Sequence, residues 1–294
     1  MLSFRNGRAF CAIRGGPNHN KQIRIHDETN EKDHKYEYDP RKLKQFDKEE
    51  LKLLKDALDR DNDEYLNGKL KRVFDKIKYK GDIGKDFYDE NAIVKLIPTD
   101  DPDQRDSIYI CGPSGSGKST FVSSFIEEYI IKYPKRQIVL FSAKPSDPAL
   151  DKYQPIRIPL NDDLVTDPIK LEELEHSLVI FDDIDQISDK HIQKAVWNLR
   201  DRILEVGRSL GISICTVSHL ITNYKASRIC LNEADYVILF CKSGGRKQID
   251  YFLDTYIGLD KQQKKKLMDL KSRAVILKKT YPLAVIYQNG CYAL

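Results

Sequence analysis

Residues 112–119 read G-P-S-G-S-G-K-S, placed where an apolar run, 108–111, gives way to a helical stretch, 119–132. Few backbones satisfy that arrangement. Gly112, Gly115 and Gly117 let the chain turn tightly enough to aim its N–H groups at one point. The following helix directs the positive end of its dipole at the same point. A loop of this kind holds phosphates, with Lys118 placed for the β- and γ-phosphates and the Ser119 hydroxyl for Mg²⁺. The nucleotide-contacting set is then Gly112, Pro113, Ser114, Gly115, Ser116, Gly117, Lys118, Ser119 and Thr120.

A second motif fits the first. The strand-like run Leu178-Val179-Ile180-Phe181 ends in Asp182-Asp183. Asp182 is expected to hold Mg²⁺ through its water shell, and Asp183 to orient and deprotonate the attacking water. The 64 residues from Lys118 to Asp182 admit a helix, a strand and a helix, and leave room for one strand between the two motif strands. Paired acids suit an ATPase that activates water better than a nucleoside monophosphate kinase, which needs an arginine-rich lid. No guanine-reading N-K-x-D follows, which favours ATP.

Another buried run, 212–217, ends in Ser218 and His219, either of which suits a γ-phosphate sensor. Helix 190–206 carries Arg200 and Arg202, and Arg208 follows it. Hydrolysis in this class needs an added transition-state cation, worth roughly 10³–10⁵ in rate. No arginine is expected near the P-loop, so a neighbouring subunit would have to supply it. Arg208 is the first choice and Arg202 the second.

The runs 108–111, 137–141, 178–181, 212–217 and 236–240 are near-continuously apolar, as strands buried on both faces of a parallel sheet are. Helical stretches separate them. The fold class is therefore α/β, a P-loop NTPase with a mostly parallel central sheet flanked by helices. Residues 274–277 and 284–287, either side of Pro282, predict a C-terminal β-hairpin after a helical 251–271. The segment 98–105, P-T-D-D-P-D-Q-R, is a turn-rich boundary. It divides an ATPase domain, 105–294, from an N-terminal α+β appendage, 1–100. In the appendage a short β element, 1–30, precedes charged helices. Residues 31–60 carry nine acids and nine bases, with Asp47 as N-cap and Glu50 three residues on.

Charge is unevenly spread. From Lys242 to Lys279 eleven Lys or Arg face four Asp, a net of +7, so the rest of the +4 chain sums to −3. Lys242, Arg246 and Lys247 form a basic loop, and Lys264 belongs to a lysine cluster; both suit sequence-independent phosphate contacts to DNA. The six cysteines show no C-x-x-C pair and read as buried thiols of an intracellular protein. No run approaches the ~18–20 apolar residues of a membrane span.

The order of motifs, G-P-S-G-S-G-K-S-T, L-V-I-F-D-D-I-D, E-V-G-R-S-L-G-I-S-I-C-T-V-S-H-L and S-R-A-V-I-L-K-K-T-Y-P-L-A-V-I-Y, resembles the viral genome-packaging ATPase branch of the FtsK–HerA superfamily. That branch occurs in nucleocytoplasmic large DNA viruses, virophages and polinton-like elements, and the resemblance covers residues 105–294. It implies a homo-oligomeric ring that uses ATP and Mg²⁺ to drive double-stranded DNA into a preformed capsid, at the virus assembly site. Lys118, Ser119, Asp182 and Asp183 take the roles given above, Arg208 that of the trans-acting finger, and Ser218-His219 that of sensor. Asp183 stands where many members have Glu, and His219 where Gln is common. Residues 1–100 resemble nothing known and suit docking to capsid or portal proteins, or regulation. The alternatives are another DNA pump of the superfamily, in conjugation or segregation, or a nucleotide switch with weak hydrolysis.

Overall fold

Buried apolar strands separated by helices can pair in parallel only if each crossover returns over a sheet face. The computed structural model describes residues 1–5, 7–26, 46–60, 65–66, 68–79, 82–101, 104–222 and 224–294; the expected charged segment at 31–45 lies outside them. Its strands are β1 (Leu2–Ser3), β2 (Arg8–Gly15), β3 (Gln22–Ile25), β4 (Asp82–Gly84), β5 (Asp86–Tyr88), β6 (Ala92–Leu96), β7 (Ser107–Cys111), β8 (Ile138–Ser142), β9 (Ile156–Arg157), β10 (Leu178–Asp182), β11 (Ser213–Ser218), β12 (Tyr236–Leu239), β13 (Val275–Lys278), β14 (Ala284–Tyr287) and β15 (Gly290–Ala293).

Ten of these form one sheet in the order β5-β15-β14-β13-β12-β7-β11-β10-β8-β9. It is parallel from β12 to β9 and antiparallel from β12 out to β5. The strand between the two motif strands β7 and β10 is β11, which carries Ser218 at its end. Register aligns the carboxyl ends: Ser142 pairs with Asp182, Asp182 with Val217, and Ser218 with Cys111, the residue before the glycine loop. Ligands of open α/β sheets collect outside such ends.

One departure from the sequence reading lies at residues 82–96, which form three strands instead of helix. The signal was a period of two: in β6, Ala92, Val94 and Leu96 are buried while Ile93 is exposed. Strands β4-β1-β3-β2-β6 make a second, five-stranded sheet, and β5 joins the edge of the first through β15. The expected pair β13–β14 is present and is extended by β15. Helix Lys48–Arg60 opens with the capping box of Asp47 and Glu50: the Glu50 N–H donates to Asp47 Oδ1 at 2.8 Å and the Asp47 N–H to Glu50 Oε2 at 3.0 Å. All six cysteines are free thiols, and no helix among the described residues is long and apolar enough to cross a membrane.

Helix Lys118–Lys132 lies between the two sheets, so it buries more than one stripe. Val122, Phe125, Ile126 and Tyr129 pack with Phe10, Ile13, Val94 and Leu96 of the small sheet and with Ile108, Ile110 and Leu140 of the large one. Arg14 of β2 pairs with the buried Glu128 of this helix, its Nε at 3.1 Å from Oε1, and Lys95 of β6 pairs with Glu127 at 3.1 Å. The opposite face of the large sheet is covered by helix Lys190–Val206 and its neighbours, with Phe141 and Phe181 stacked at 4.9 Å. Phe125→Ala should therefore cost about 3–5 kcal/mol of stability in urea melts, since one ring serves both sheets. A loss under about 1 kcal/mol would contradict this packing.

Candidate functional site

The glycine loop closes as its composition requires. Gly115 and Gly117 have φ of 72° and 110°, the left-handed region, and a Cβ on Gly112 would come within 2.8 Å of Phe240 and of Ser116 Oγ. The Gly112 N–H donates to the Ser218 carbonyl at 3.2 Å, tying the loop to β11. Lys118 folds back over its own loop, donating to the carbonyls of Gly112 (2.8 Å) and Pro113 (3.1 Å). Burial lowers its pKa, against the pull of Asp183 and Asp182. Ser116 Oγ is buried in the loop with no hydrogen-bond partner, a polar atom aimed into a cradle. These features fit a polyphosphate.

The side where the sequence places the metal is as coherent. Ser119 Oγ donates to Asp147 Oδ2 at 2.8 Å, which directs its proton away and leaves its lone pairs for a cation. Asp182 and Asp183 are 1% and 4% exposed, and burial followed by the charge of Asp183 raises the Asp182 pKa. Ser142 Oγ donates to Asp182 at 3.2 Å. A serine and one carboxylate suit Mg²⁺, which keeps most of its water and takes few protein ligands.

Asp183 sits in a left-handed turn at φ 50°, a conformation Asp tolerates better than most residues. Its Oδ2 lies 2.6 Å from Lys144 Nζ, and its Oδ1 lies 3.0 Å from His219 Nε2, close but not aligned as a hydrogen bond. The same lysine reaches Asp182 at 3.6 Å. Burial pulls the Lys144 pKa down, yet its hydrogen bond to Asp183 and the two carboxylate charges leave it raised. His219 Nδ1 is also 3.4 Å from Lys118 Nζ. Of the two sensor residues it is therefore His219 that meets the cluster; Ser218 Oγ turns to Asp185 at 3.4 Å.

Three members of this site were not read from the sequence. Lys144 and Asp147 follow β8 in F-S-A-K-P-S-D-P, where no motif marked them. Arg273 corrects the expectation that no arginine lies near the P-loop: its Nε donates to the Ser116 carbonyl at 2.7 Å and its Nη2 to that of Gly115 at 2.8 Å. It arrives from 157 residues away, by way of the antiparallel extension.

The other expected residues lie apart. Arg208 is on the turn Gly207–Leu210, at the amino end of β11, whereas Ser218 at the carboxyl end meets the P-loop. Six strand residues span about 16 Å. Arg202 lines a groove with Phe141 and Leu164, and Arg200 is buried against Asp201 at 2.6 Å. Arg246 and Lys247 are exposed beside a cavity of about 470 Å³ shared with Gly112, Pro113 and His219. Lys242 donates to the Met268 carbonyl at 3.1 Å, and Lys264 pairs with Asp254 at 2.8 Å.

Arg208 borders a second polar cavity, of about 300 Å³, with Arg8, Arg105, Asp106, Asp235 and Lys278. Burial pushes the pKa of Asp106 up to about 7, although the Thr99 N–H contacts both its oxygens at 3.0 and 3.2 Å. An unfolded Asp titrates near 3.9, so this stabilisation is complete below about pH 4 and lost as pH rises through 7. Asp106→Asn, which keeps an acceptor for Thr99, should flatten the urea midpoint over that range. A dependence equal to that of the parent chain would show that Asp106 is not its source.

An "uncharacterized protein V3" of Sputnik virophage is 40% identical over 202 residues, covering 68% of this chain and 82% of that protein. A family model described as RNA helicase matches residues 108–179, stopping short of Asp182. Among solved structures, the genome packaging NTPase B204 of Sulfolobus turreted icosahedral virus 2 in complex with ATP-gammaS is 16% identical, with a TM-score of 0.41, over 61% of this chain and 94% of that one. The pCW3 conjugation coupling protein TcpA with ATPgS is 14% identical, with a TM-score of 0.44, over 68% and 63%.

Proposed function

Because this chain belongs to the family of the Sputnik virophage protein V3, the viral packaging-ATPase family that its motif order resembles, we propose that it hydrolyses ATP to drive double-stranded DNA into a capsid as a homo-oligomeric ring. The observation that carries this reading is the position of Asp183, held by Lys144 and His219 within one cluster that also contains Lys118. Lys118 leaves its two carbonyls for the β- and γ-phosphates, and the loop N–H groups and Ser116 Oγ supply the remaining donors. Mg²⁺, when bound, neutralises phosphate charge; Ser119 and Asp182 would hold it, with Asp147 orienting Ser119. Asp183 takes the proton of the attacking water. His219, touching both Asp183 and Lys118, reports whether the γ-position is filled.

Residues 1–100 form the part available to capsid or portal proteins, and 105–294 the motor. Phosphate contacts along the DNA fall to Arg246 and Lys247, which are exposed next to the sensor cavity, ahead of Lys242 and Lys264, which already have partners. A slow nucleotide switch is the second reading, favoured by one observation: Lys144 already neutralises the carboxylate that would act as base. Turnover with and without DNA separates the two. The motor predicts stimulation by double-stranded DNA of any sequence, loss of turnover in Lys118→Ala, and ATP binding without turnover in Asp183→Asn. DNA-insensitive turnover would leave the switch.

Arg208 lies about a strand's length from its own P-loop, so the finger role proposed for it is one played on a neighbouring subunit. Arg208→Ala chains should bind ATP and fail to hydrolyse it, and mixing them with Lys118→Ala chains should restore some activity, because an intact loop then meets an intact arginine. No rescue in oligomers shown to be mixed would refute the trans role.

A further inference from the structure

The reading so far concerns only the phosphates. The nucleoside must leave the loop somewhere, and among the described residues two grooves border it. One, containing His219, Gly112 and Pro113, opens on the γ-phosphate side, since His219 lies against Asp183 and Lys118. The other, about 200 Å³, opens beyond the first turn of helix Lys118–Lys132. From Lys118 at the β- and γ-phosphates the chain runs to the N–H groups of that turn, where the α-phosphate falls. The nucleoside therefore leaves past Thr120 and Phe121, away from His219.

That second groove has the makings of a base site. Phe121, Tyr287 and Ile93 give it apolar walls, and Ser124 and Gln288 give it polar edges. Phe121 and Tyr287 are half-buried and Ile93 is 50% exposed, so part of this apolar surface is open to solvent. Arg273, clamped to the loop carbonyls, also lines this groove and so stands between it and the P-loop, a placement that suits a guanidinium serving a phosphate and a flat base. The walls come from three parts of the fold: β6 of the small sheet, the P-loop helix, and the antiparallel extension. Such junctions are where ligand sites form.

We propose that this groove takes the base and ribose of the nucleoside triphosphate whose phosphates occupy the P-loop, so that the N-terminal sheet completes the nucleotide site through Ile93. The proposal rests on the ATPase reading above. Its test compares, by calorimetry on the full chain, the affinities of ATP and of inorganic tripolyphosphate. Ile93→Asn and Ser124→Tyr, both at partly exposed positions, should weaken ATP about tenfold and leave tripolyphosphate unchanged; Gln288→Ala, at an exposed position, should do so in the same sense. Unchanged ATP affinity in all three would overturn the proposal, as would an equal loss for tripolyphosphate, which would locate the damage in the loop. Gln248→Ala, in the sensor-side groove, should leave both affinities alone; a selective loss of ATP there would also overturn it. Should the parent chain bind neither ligand, the P-loop reading itself falls.

Discussion

Two neighbouring carboxylates at the end of a buried strand cannot both ionise without a cation close by. Asp182 and Asp183 meet that condition through Lys144, 3.6 and 2.6 Å away, and much of the site is arranged around the trio. Ser142 and Asp147 come from the same segment as Lys144, one donating to Asp182 and the other orienting Ser119. Register makes this possible: β8 and β10 pair residue for residue, so whatever follows Ser142 arrives beside Asp182. The left-handed turn at Asp183 then aims its second oxygen at His219 rather than back at the strand.

The same sheet separates two kinds of basic residue. At its carboxyl end lie Lys118, Lys144 and Arg273, bound to the glycine loop or to the paired acids. At its amino end Arg208, Arg105 and Lys278 surround Asp106 and Asp235. The two groups are separated by the length of the central strands. The small sheet holds the P-loop helix from behind through Glu128 and Phe125.

Much of this was legible beforehand. The five buried strands announced themselves by unbroken apolar runs, and the glycines of residues 112–117 by a pattern with few other uses. Asp47 and Glu50 were recoverable because a capping box is local. Lys144, Asp147 and Arg273 were not, because they reach the site by strand pairing and long connections, and nothing in their immediate neighbours marks them. The strands within 82–96 were hidden for another reason: each is three to five residues long and its alternation competes with a dense scatter of charge.

The position of a bound ATP analogue with Mn²⁺, read from anomalous diffraction of the complex, tests the central claim most directly. The account predicts the triphosphate inside residues 112–119, the metal against Ser119 Oγ on the side of Asp182, and Asp183 facing the γ-phosphate with His219 beside it. A metal held away from Ser119, or a γ-phosphate out of reach of Asp183, would contradict it.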